Sequence, residues 1–253
     1  MRTQQNTALV TGGGSGIGLA IAQSLAENGF RVIIAGRSLD RLQQAAKANE
    51  NLQPLALDVT NEESVASAFQ NLLDQNMMPD VLINNAGAAN TASLERTSLK
   101  VWQSMMDVNL TGAFLCTRAV LPHMKAQKFG RIITVASTAA LKGYAYTAAY
   151  TAAKHGILGM TRALALELVG TGVTANTVCP GFTDTDIVRN SVQNIVEKTG
   201  RSAEAALHEL TRHNPEDRLI RPDEVADTVL WLAGEKASAI NGQAVAVACG
   251  EVM

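Results

Sequence analysis

A chain of 253 residues, 47% of them hydrophobic and 17% charged, is long enough to bury one sizeable core. Its 21 basic and 23 acidic side chains leave a net charge of −2 and are scattered along the chain, so we expect no nucleic acid and no membrane surface as a partner. The N-terminus carries no apolar run of signal-peptide length, and no stretch approaches the ~20 apolar residues that span a bilayer, so we expect a cytoplasmic protein.

Short aliphatic runs alternate with longer Ala- and Leu-rich segments of helical period. This alternation predicts an α/β fold, a single Rossmann-like domain with a doubly wound seven-stranded parallel sheet. The predicted strands are 7–11, 31–36, 53–57, 81–84, 131–136, 173–178 and 243–247, and the predicted helices are 16–28, 38–49, 62–75, 99–125, 150–169 and 222–232. Residues 184–221 break the alternation as a polar, weakly amphipathic insertion, which we expect to form a helical substrate lid.

The first predicted strand is followed by TGGGSGIG, in which Gly12, Gly16 and Gly18 lead into a helix. In an open parallel sheet the ligand binds beyond the carboxyl ends of the strands. Glycines permit a tight turn there, and a helix N-terminus offers unpaired N–H groups to a pyrophosphate. A flexible linker is the alternative, but a linker need not join an aliphatic strand to an amphipathic helix. The stretch therefore indicates a dinucleotide-binding turn.

The second predicted strand is followed by GRSLDRL, where the ribose of a dinucleotide's adenosine should lie. An acidic residue here would bind the free 2′-hydroxyl of NAD, whereas a basic residue can pair with the 2′-phosphate of NADP. Arg37 stands at this position, although a solvated charge at a helix start is the alternative role. We therefore predict NADP(H) as the preferred cofactor, with NAD(H) as the second possibility.

Small, polar or Gly-rich segments also follow the next four predicted strands. Asp58 in LDVT either contacts the adenine edge or caps the following helix, for which Asn61 competes. The fourth strand ends in NNAG and the fifth in VAST, which delivers Ser137 to the same edge of the sheet. Pro180 and Gly181 make a sharp turn after the sixth. The strand ends thus converge on one crevice.

The stretch YAYTAAYTAAKHG contains three tyrosines, and only Tyr150 is followed at helical i+4 spacing by a cation, Lys154. The residues four beyond Tyr144 and Tyr146 are an alanine and a tyrosine. A free phenol has a pKa of about 10, and an ammonium about 5 Å away at an effective dielectric of about 20 would favour the phenolate by roughly 3 kcal/mol. The spacing predicts that Tyr150 is an acid or base assisted by Lys154.

These motifs together resemble the short-chain dehydrogenase/reductase family, in its single-domain branch of 3-oxoacyl-thioester and polyketide ketoreductases. The resemblance covers essentially the whole chain in order. It rests on TGGGSGIG, NNAG, Asn109 in DVNLTG, Ser137, the Tyr150/Lys154 pair thirteen and seventeen residues beyond that serine, and PG at 180–181. It implies an NAD(P)-dependent enzyme that acts on CH–OH or C=O groups.

The resemblance also implies a role for each site residue. Tyr150 would protonate a carbonyl oxygen, or deprotonate an alcohol in reverse, and Lys154 would hold the nicotinamide ribose and lower the Tyr150 pKa. Ser137 would bind the substrate oxygen, and Asn109 would bend its helix and hold a proton-relaying water. The implied cofactor-binding residues are Gly12, Ser15, Gly16, Ile17, Gly18, Arg37, Asp58, Val59, Asn85, Ala86, Gly87, Tyr150, Lys154, Pro180, Gly181, Thr183 and Thr185.

The predicted function is NADP(H)-dependent reduction of a 3-oxoacyl thioester or polyketide-like ketone to a secondary alcohol. The substrate could be bound to CoA or to a carrier protein. A basic patch for a carrier protein could be formed by Lys125, Lys128 and Arg131, or by Arg201 and Arg212, and solvated surface charge is the alternative interpretation. The alternatives are an NAD-dependent secondary-alcohol dehydrogenase working oxidatively and a non-catalytic dinucleotide-sensing regulator. No metal site is predicted, because the three cysteines are far apart and lack metal-ligand spacing. The resemblance also implies a homotetramer.

Overall fold

The structure, a computed structural model, describes residues 6–47 and 49–253, apart from the side chain of residue 198. Its strands are β1 (Thr7–Thr11), β2 (Arg31–Gly36), β3 (Leu52–Ala56), β4 (Val81–Asn84), β5 (Gly130–Val135), β6 (Val173–Pro180) and β7 (Ala244–Val247). Its helices are α1 (Gly16–Glu27), α2 (Leu39–Ala46), α3 (Glu62–Asp74), α4 (Leu99–Met106), α5 (Gly112–Gln127), α6 (Ala148–Glu167), α7 (Asp186–Thr199), α8 (Ala203–Thr211) and α9 (Pro222–Ala233).

All seven strands lie in one sheet in the order β3-β2-β1-β4-β5-β6-β7, and every neighbouring pair is parallel. The chain leaves β1 in one direction for β2 and β3, and returns past β1 to build β4 to β7 on its other side. Because the connections diverge between β1 and β4, their carboxyl ends open a crevice there. The predicted doubly wound, seven-stranded α/β fold is confirmed.

Helices cover both faces of the sheet, which explains why the strands read as continuous apolar runs. Val10 and Ile34 point to the face covered by α1 and α9, whereas their neighbours Leu9 and Ile33 point to the face covered by α3, α5 and α6. Every residue of β1, β4, β5 and β6 is buried. The edge strand β3 is only partly buried and accommodates Pro54, whose missing N–H a central strand would not tolerate.

Several element boundaries differ from the predictions, and two of these differences affect the site. The helix predicted over 99–125 is interrupted by a π-helical turn, Asp107–Thr111, between α4 and α5. Helix α6 begins two residues before the predicted start, so Tyr150 lies in its first turn. Helix α2 ends at residue 46 instead of 49, and residue 48 of the predicted helix lies outside the described residues.

The insertion before α9 is helical, as predicted, and forms two helices, α7 and α8, on a closed base. Asp184 N–H donates to the Ile220 carbonyl at 2.9 Å, and Ile220 N–H donates to the Phe182 carbonyl at 2.8 Å. Arg218, near the end of the insertion, forms a two-pronged ion pair with Glu224 of α9 at 2.8 and 2.9 Å. The insertion is therefore anchored at both ends beside the carboxyl end of β6.

Arg131 is not part of a surface basic patch, and that expectation is wrong. Its side chain is buried at the amino end of β5, where Nη1 donates to the carbonyls of Gly130 at 2.9 Å and Gly172 at 3.3 Å, and Nε donates to that of Gly234 at 3.3 Å. A buried guanidinium is tolerated when its N–H groups are hydrogen-bonded. Arg131 therefore joins three backbone segments and is not available to a carrier protein.

No helix in the described ranges is both long and apolar enough to cross a bilayer.

Candidate active site

The turn between β1 and α1 has the geometry of a phosphate cradle. Gly12 and Gly16 adopt left-handed φ values of +66° and +52°, which glycine reaches without strain. A Cβ added to Gly18 would lie 2.3 Å from the Gly12 carbonyl oxygen and 2.4 Å from Asn85 Nδ2, so only glycine fits there. The side chain of Ser15, the N-cap of α1, makes no capping bond within the described chain, so N–H groups of the first turn remain available to an anion.

Gly18→Ala is expected to destabilise the fold by about 2–3 kcal/mol, or about 5–10 °C in Tm, because the new methyl group overlaps backbone and Asn85. Dinucleotide affinity should fall with it. Gly159→Ala in α6 is the control, because a Cβ at Gly159 meets nothing within 4 Å and alanine favours the helix. Thermal unfolding of both variants checks this, and a Tm for Gly18→Ala equal to the wild-type value would contradict it.

Two expected adenosine contacts, Arg37 and Asp58, lie together at the β2–β3 end of the crevice. Asp58 Oδ1 accepts hydrogen bonds from Thr60 Oγ1 at 2.7 Å and Thr60 N–H at 3.0 Å. These bonds, and more weakly the Arg37 charge, lower the pKa of Asp58 below its ordinary value. Asn61, and not Asp58, caps α3, because its Oδ1 accepts from Ser64 N–H at 2.8 Å. Asp58 therefore does not cap α3, although its carboxylate stabilises the turn at Thr60.

A second cation near this end, Arg41, was missed in the sequence. Its Cγ lies 3.4 Å from the point where a Cβ on Gly14 would stand, so the side chain packs against the Gly-rich turn. Ser38 caps α2 through the Arg41 N–H at 3.5 Å, which places Arg41 in the first helical turn. The sequence signal that could have identified Arg41 is its position four residues after Arg37.

The NNAG segment after β4 is fastened to the end of β1 across the crevice. Thr11 Oγ1 accepts from the N–H groups of Asn85 at 2.9 Å and Ala86 at 3.0 Å, and Asn85 Nδ2 donates to the Thr11 carbonyl at 2.9 Å. Gly87 follows, and a Cβ there would lie 2.8 Å from Asn109 Oδ1 and 3.7 Å from Lys154 Nζ. A side chain at Gly87 would therefore collide with Asn109 and contact Lys154.

Asn109 occupies the π-helical turn between α4 and α5, and only 3% of its surface is exposed. Its Nδ2 donates to the carbonyls of Ala88 at 2.9 Å and Met105 at 3.0 Å, and its Oδ1 accepts from Ala88 N–H at 3.3 Å. The widened turn lets the amide tie its helix to the NNAG loop. In this structure Asn109 thus satisfies backbone groups, and a proton-relay role remains a proposal.

Ser137, Tyr150 and Lys154 are brought together beyond the end of β5. Ser137 lies close enough to the Tyr150 phenol to lower its pKa, and the Ser137 hydroxyl accepts a hydrogen bond from Ala139 N–H at 3.1 Å. Lys154 Nζ lies 5.5 Å from the centroid of the Tyr150 ring and donates to the Val135 carbonyl at 3.1 Å. The i+4 spacing places the phenol and the ammonium on one face of α6, as the sequence indicated.

Burial shifts both titratable groups of this pair toward their neutral forms. It raises the pKa of Tyr150, against which Ser137 acts, and it lowers the pKa of Lys154 to about 8. The expected lowering of the Tyr150 pKa by Lys154 is therefore not found, because desolvation of the phenolate dominates. At neutral pH the phenol carries its proton and can donate it.

The other two tyrosines differ from Tyr150 in their surroundings. Burial, followed by a hydrogen bond to Glu251, raises the pKa of Tyr144 and keeps it protonated. Tyr146 is 69% exposed, with its backbone in the left-handed region. Tyr150 is the tyrosine that contacts both Ser137 and Lys154.

The segment after β6 closes the crevice against the Gly-rich turn. Thr183 Oγ1 donates to the Gly181 carbonyl at 3.0 Å, one residue beyond Pro180 at the end of β6, and Thr185 Oγ1 donates to the Thr183 carbonyl at 3.2 Å. Thr185 Cγ2 lies 3.1 Å from the position of a Cβ on Gly16. The structure thereby places the expected nicotinamide and pyrophosphate contacts side by side.

Two expected cofactor residues have side chains committed to packing. Val59 is 8% exposed and its Cγ2 lies 2.8 Å from the position of a Cβ on Gly112, so it packs against the start of α5. Ile17 packs against the core on the α1 face. Their contribution to a cofactor site would therefore come mainly from the backbone.

A sequence profile described as short chain dehydrogenase matches residues 6–196. The chain belongs to the short-chain dehydrogenase/reductase family. The chain is 37% identical over 254 residues to 3-oxoacyl-(acyl-carrier-protein) reductase of Vibrio cholerae, and the match covers the full length of both proteins. It is 38% identical over 241 residues to D-beta-hydroxybutyrate dehydrogenase of Cupriavidus necator, with 93% of each covered.

A crystal structure of an actinorhodin polyketide ketoreductase variant with NADPH superposes on this short-chain dehydrogenase/reductase with a TM-score of 0.94, at 34% identity and 99% coverage of both chains. The predicted family, its single-domain architecture and its ketoreductase-like branch are confirmed. The chain is an oxidoreductase of this family, so the non-catalytic regulator is not retained. Within the described part of the chain, no group of three or more His, Cys, Asp or Glu side chains could hold a metal ion.

Proposed function

We propose that this enzyme reduces the ketone of a 3-oxoacyl thioester, or a polyketide-like ketone, to a secondary alcohol, with NADPH as the preferred hydride donor and Tyr150 as general acid. One observation carries the proposal. A protonated phenol, with Ser137 and Lys154 beside it, lies at the same edge of the sheet as a glycine cradle. The names of two relatives, a 3-oxoacyl reductase and a polyketide ketoreductase, support this substrate class.

The residues present fit a dinucleotide. Gly12, Gly16 and Gly18 form a turn too tightly packed for side chains, and the first turn of α1 presents N–H groups to a pyrophosphate. Arg37 and Arg41 are the cations that would bind a 2′-phosphate. Lys154 would bind the nicotinamide ribose, flanked by residues 85–87 and 180–185. When bound, the cofactor would supply a hydride from its nicotinamide C4.

The chain's own residues would handle the oxygen of the substrate. Ser137 would donate a hydrogen bond to the carbonyl oxygen and orient it toward Tyr150. As the hydride reaches the carbonyl carbon, Tyr150 would transfer its proton to the developing alkoxide, a step worth about 10²–10⁴-fold in rate. The resulting phenolate would be stabilised by the Lys154 ammonium. A water held near Asn109 would then return a proton to Tyr150 through Lys154.

Residues 184–221 are assigned as the substrate lid, because α7 and α8 rise from a base closed at Thr183 and Ile220 beside the crevice. A homotetramer is the proposed assembly, supported by apolar side chains left exposed on α5 and α6, such as Phe114 at 43% and Leu166 at 78%. The three cysteines are free thiols, which suits a cytoplasmic location.

Arg37→Asp is expected to lower kcat/KM for NADPH by about 10–100-fold, because it replaces the 2′-phosphate's cation with a repelling carboxylate beside Asp58. Use of NADH should be unchanged or improved. Arg41→Ala should lower the NADPH value less and in the same direction. Initial rates with both cofactors on each variant check this, and an unchanged ratio of NADPH to NADH use in Arg37→Asp would remove Arg37 from cofactor selection.

The experiment for the function is oxidation of NADPH and NADH, followed in parallel, with acetoacetyl-CoA and with 1-decalone. We expect NADPH to be the faster cofactor. The rival is oxidation of a secondary alcohol with NAD, and the name of the D-beta-hydroxybutyrate dehydrogenase relative supports its alcohol substrate. Faster turnover of NAD with 3-hydroxybutyrate than of NADPH with any ketone would replace the proposal with that rival.

A further inference from the structure

The C-terminal tail turns back into the candidate active site. After β7, Cys249 and Gly250 both adopt left-handed φ values, +47° and +85°, and Glu251 N–H donates to the Ala248 carbonyl at 2.9 Å. This turn sends Glu251 inward, where its side chain is 1% exposed. Its Oε2 lies against Gly181, 2.9 Å from the position of a Cβ there. The tail therefore buries a carboxylate next to the turn that follows β6.

The buried carboxylate is paired within the same wall of the site. Its Oε1 accepts a hydrogen bond from the Tyr144 hydroxyl and lies 3.1 Å from Lys142 Nζ. The same ammonium donates to the Glu251 carbonyl at 3.4 Å and lies 5.0 Å from the centroid of the Tyr144 ring. A buried carboxylate is tolerated when it is paired and hydrogen-bonded in this way. Lys142 and Tyr144 thus fix Glu251, and Glu251 fixes the Tyr144 oxygen.

The Tyr144 ring is held at both ends. The Tyr144 hydroxyl donates its proton to Glu251, so its oxygen accepts a hydrogen bond from Thr138 Oγ1 at 2.5 Å. Thr138 directly follows Ser137 in the chain. The ring makes edge-to-face contacts with Phe182 at 5.8 Å and with His213 at 6.1 Å between centroids. Phe182 belongs to the turn after β6, and His213 follows α8 in the insertion. The ring therefore fills the space between the carbonyl-binding serine and the lid.

We propose that Tyr144 is a specificity-determining residue that admits unbranched 3-oxoacyl chains and excludes fused-ring ketones; this rests on the proposed function. Glu251 and Lys142 are its positioning residues. The Tyr144 ring is fixed by two hydrogen bonds and two aromatic contacts. If it changed rotamer, the buried Glu251 carboxylate would lose the hydrogen bond that the Tyr144 hydroxyl donates. A slender acyl chain passes such a wall, whereas a rigid bicyclic ketone collides with it.

The role of Tyr144 in substrate selection is tested with three variants, Tyr144→Ala, Tyr144→Phe and Glu251→Gln. Tyr146→Ala is the matched control in the same loop. For each variant we would measure kcat/KM for acetoacetyl-CoA and for 1-decalone, and the affinity for NADPH. In Tyr144→Ala the ratio of 1-decalone to acetoacetyl-CoA use should rise about 10–100-fold, and in Tyr144→Phe and Glu251→Gln about 3–10-fold, because room or mobility is gained on one side of the pocket. Tyr146→Ala should leave the ratio within about twofold, and NADPH affinity should not change in any variant.

An unchanged ratio in an active Tyr144→Ala enzyme would overturn the role of Tyr144 while leaving the proposed function intact. If that variant fails to fold, an unchanged ratio in both Tyr144→Phe and Glu251→Gln overturns it equally. A loss of NADPH affinity that accounts for all the change would show a structural role and would also overturn it. Failure of the wild-type enzyme to reduce either carbonyl refutes the proposed function, and the pocket role with it.

Discussion

Tyr150→Phe is expected to lower kcat for ketone reduction by about 10²–10⁴-fold while NADPH affinity stays within about threefold of the wild-type value. Phenylalanine keeps the ring that packs beside Lys154 but has no proton to give to the developing alkoxide. Ser137 would still bind the substrate oxygen. The effect should therefore fall on kcat and leave KM little changed, because the proton is needed only in the transition state.

Steady-state rates with NADPH and the better of the two ketones measure this effect, with cofactor affinity followed by fluorescence titration. Tyr146→Phe is the matched control, since Tyr146 is 69% exposed and has no part in the proposed chemistry. Its kcat should equal the wild-type value. A Tyr150→Phe enzyme with kcat within threefold of the wild type would show that another group protonates the alkoxide.

Lys154→Met is expected to abolish most activity and yet raise the free energy of unfolding at pH 7 by about 1–3 kcal/mol. Burial lowers the pKa of Lys154 to about 8, so the folded protein disfavours a charge that the unfolded chain carries freely. Methionine removes that cost, and the gain in stability is reduced by the loss of the hydrogen bond from Lys154 to the Val135 carbonyl. The lysine is thus expected to be retained for binding and for stabilising the phenolate, at the expense of stability.

The pH dependence of urea unfolding tests the sign of this effect. Below about pH 8 Lys154 is charged in both the folded and the unfolded state, so the free-energy cost of burying its charge is fully present. As the pH rises from 8 toward 10.5, the folded state loses its proton first, and this cost disappears. The difference in unfolding free energy between Lys154→Met and the wild type should therefore be largest near pH 7 and should shrink as the pH rises above 8. Lys100→Met, at an exposed position of α4, should show no such gap. A Lys154→Met protein less stable than the wild type at pH 7 would contradict the account.

The sheet was predictable because each buried strand is a short aliphatic run with turn residues at its end, and its neighbours are separated by helix-length segments. The helical pattern did not predict the interruption at Asp107–Thr111, because DVNLT continues that pattern, and only the family resemblance implied a bend at Asn109. In the structure the Asn109 amide in this turn contacts the loop after β4. The burial of Arg131 was likewise hidden, since it depends on the carbonyls of Gly172 and Gly234, which are distant in the sequence.

The central part of the site followed from local spacing and strand ends, as with Tyr150 and Lys154 four residues apart on one helix. What the sequence could not supply were effects of the assembled fold. The raised Tyr150 pKa arises from burial by several elements, and Glu251 reaches Tyr144 only through the turn at Cys249 and Gly250. A lone carboxylate in the apolar ending AVAVACGEVM was the one available signal for Glu251.

The most direct test of the central claim is a single turnover with NADPH carrying deuterium at the nicotinamide C4, with each face labelled in a separate reaction, on wild type and Tyr150→Phe. With acetoacetyl-CoA we predict a 3-hydroxybutyryl product with deuterium on its carbinol carbon from one labelled face, and almost no product from the variant in the time that the wild type needs for one turnover. Product formed equally by the variant, or alcohol without deuterium from either face, would contradict it.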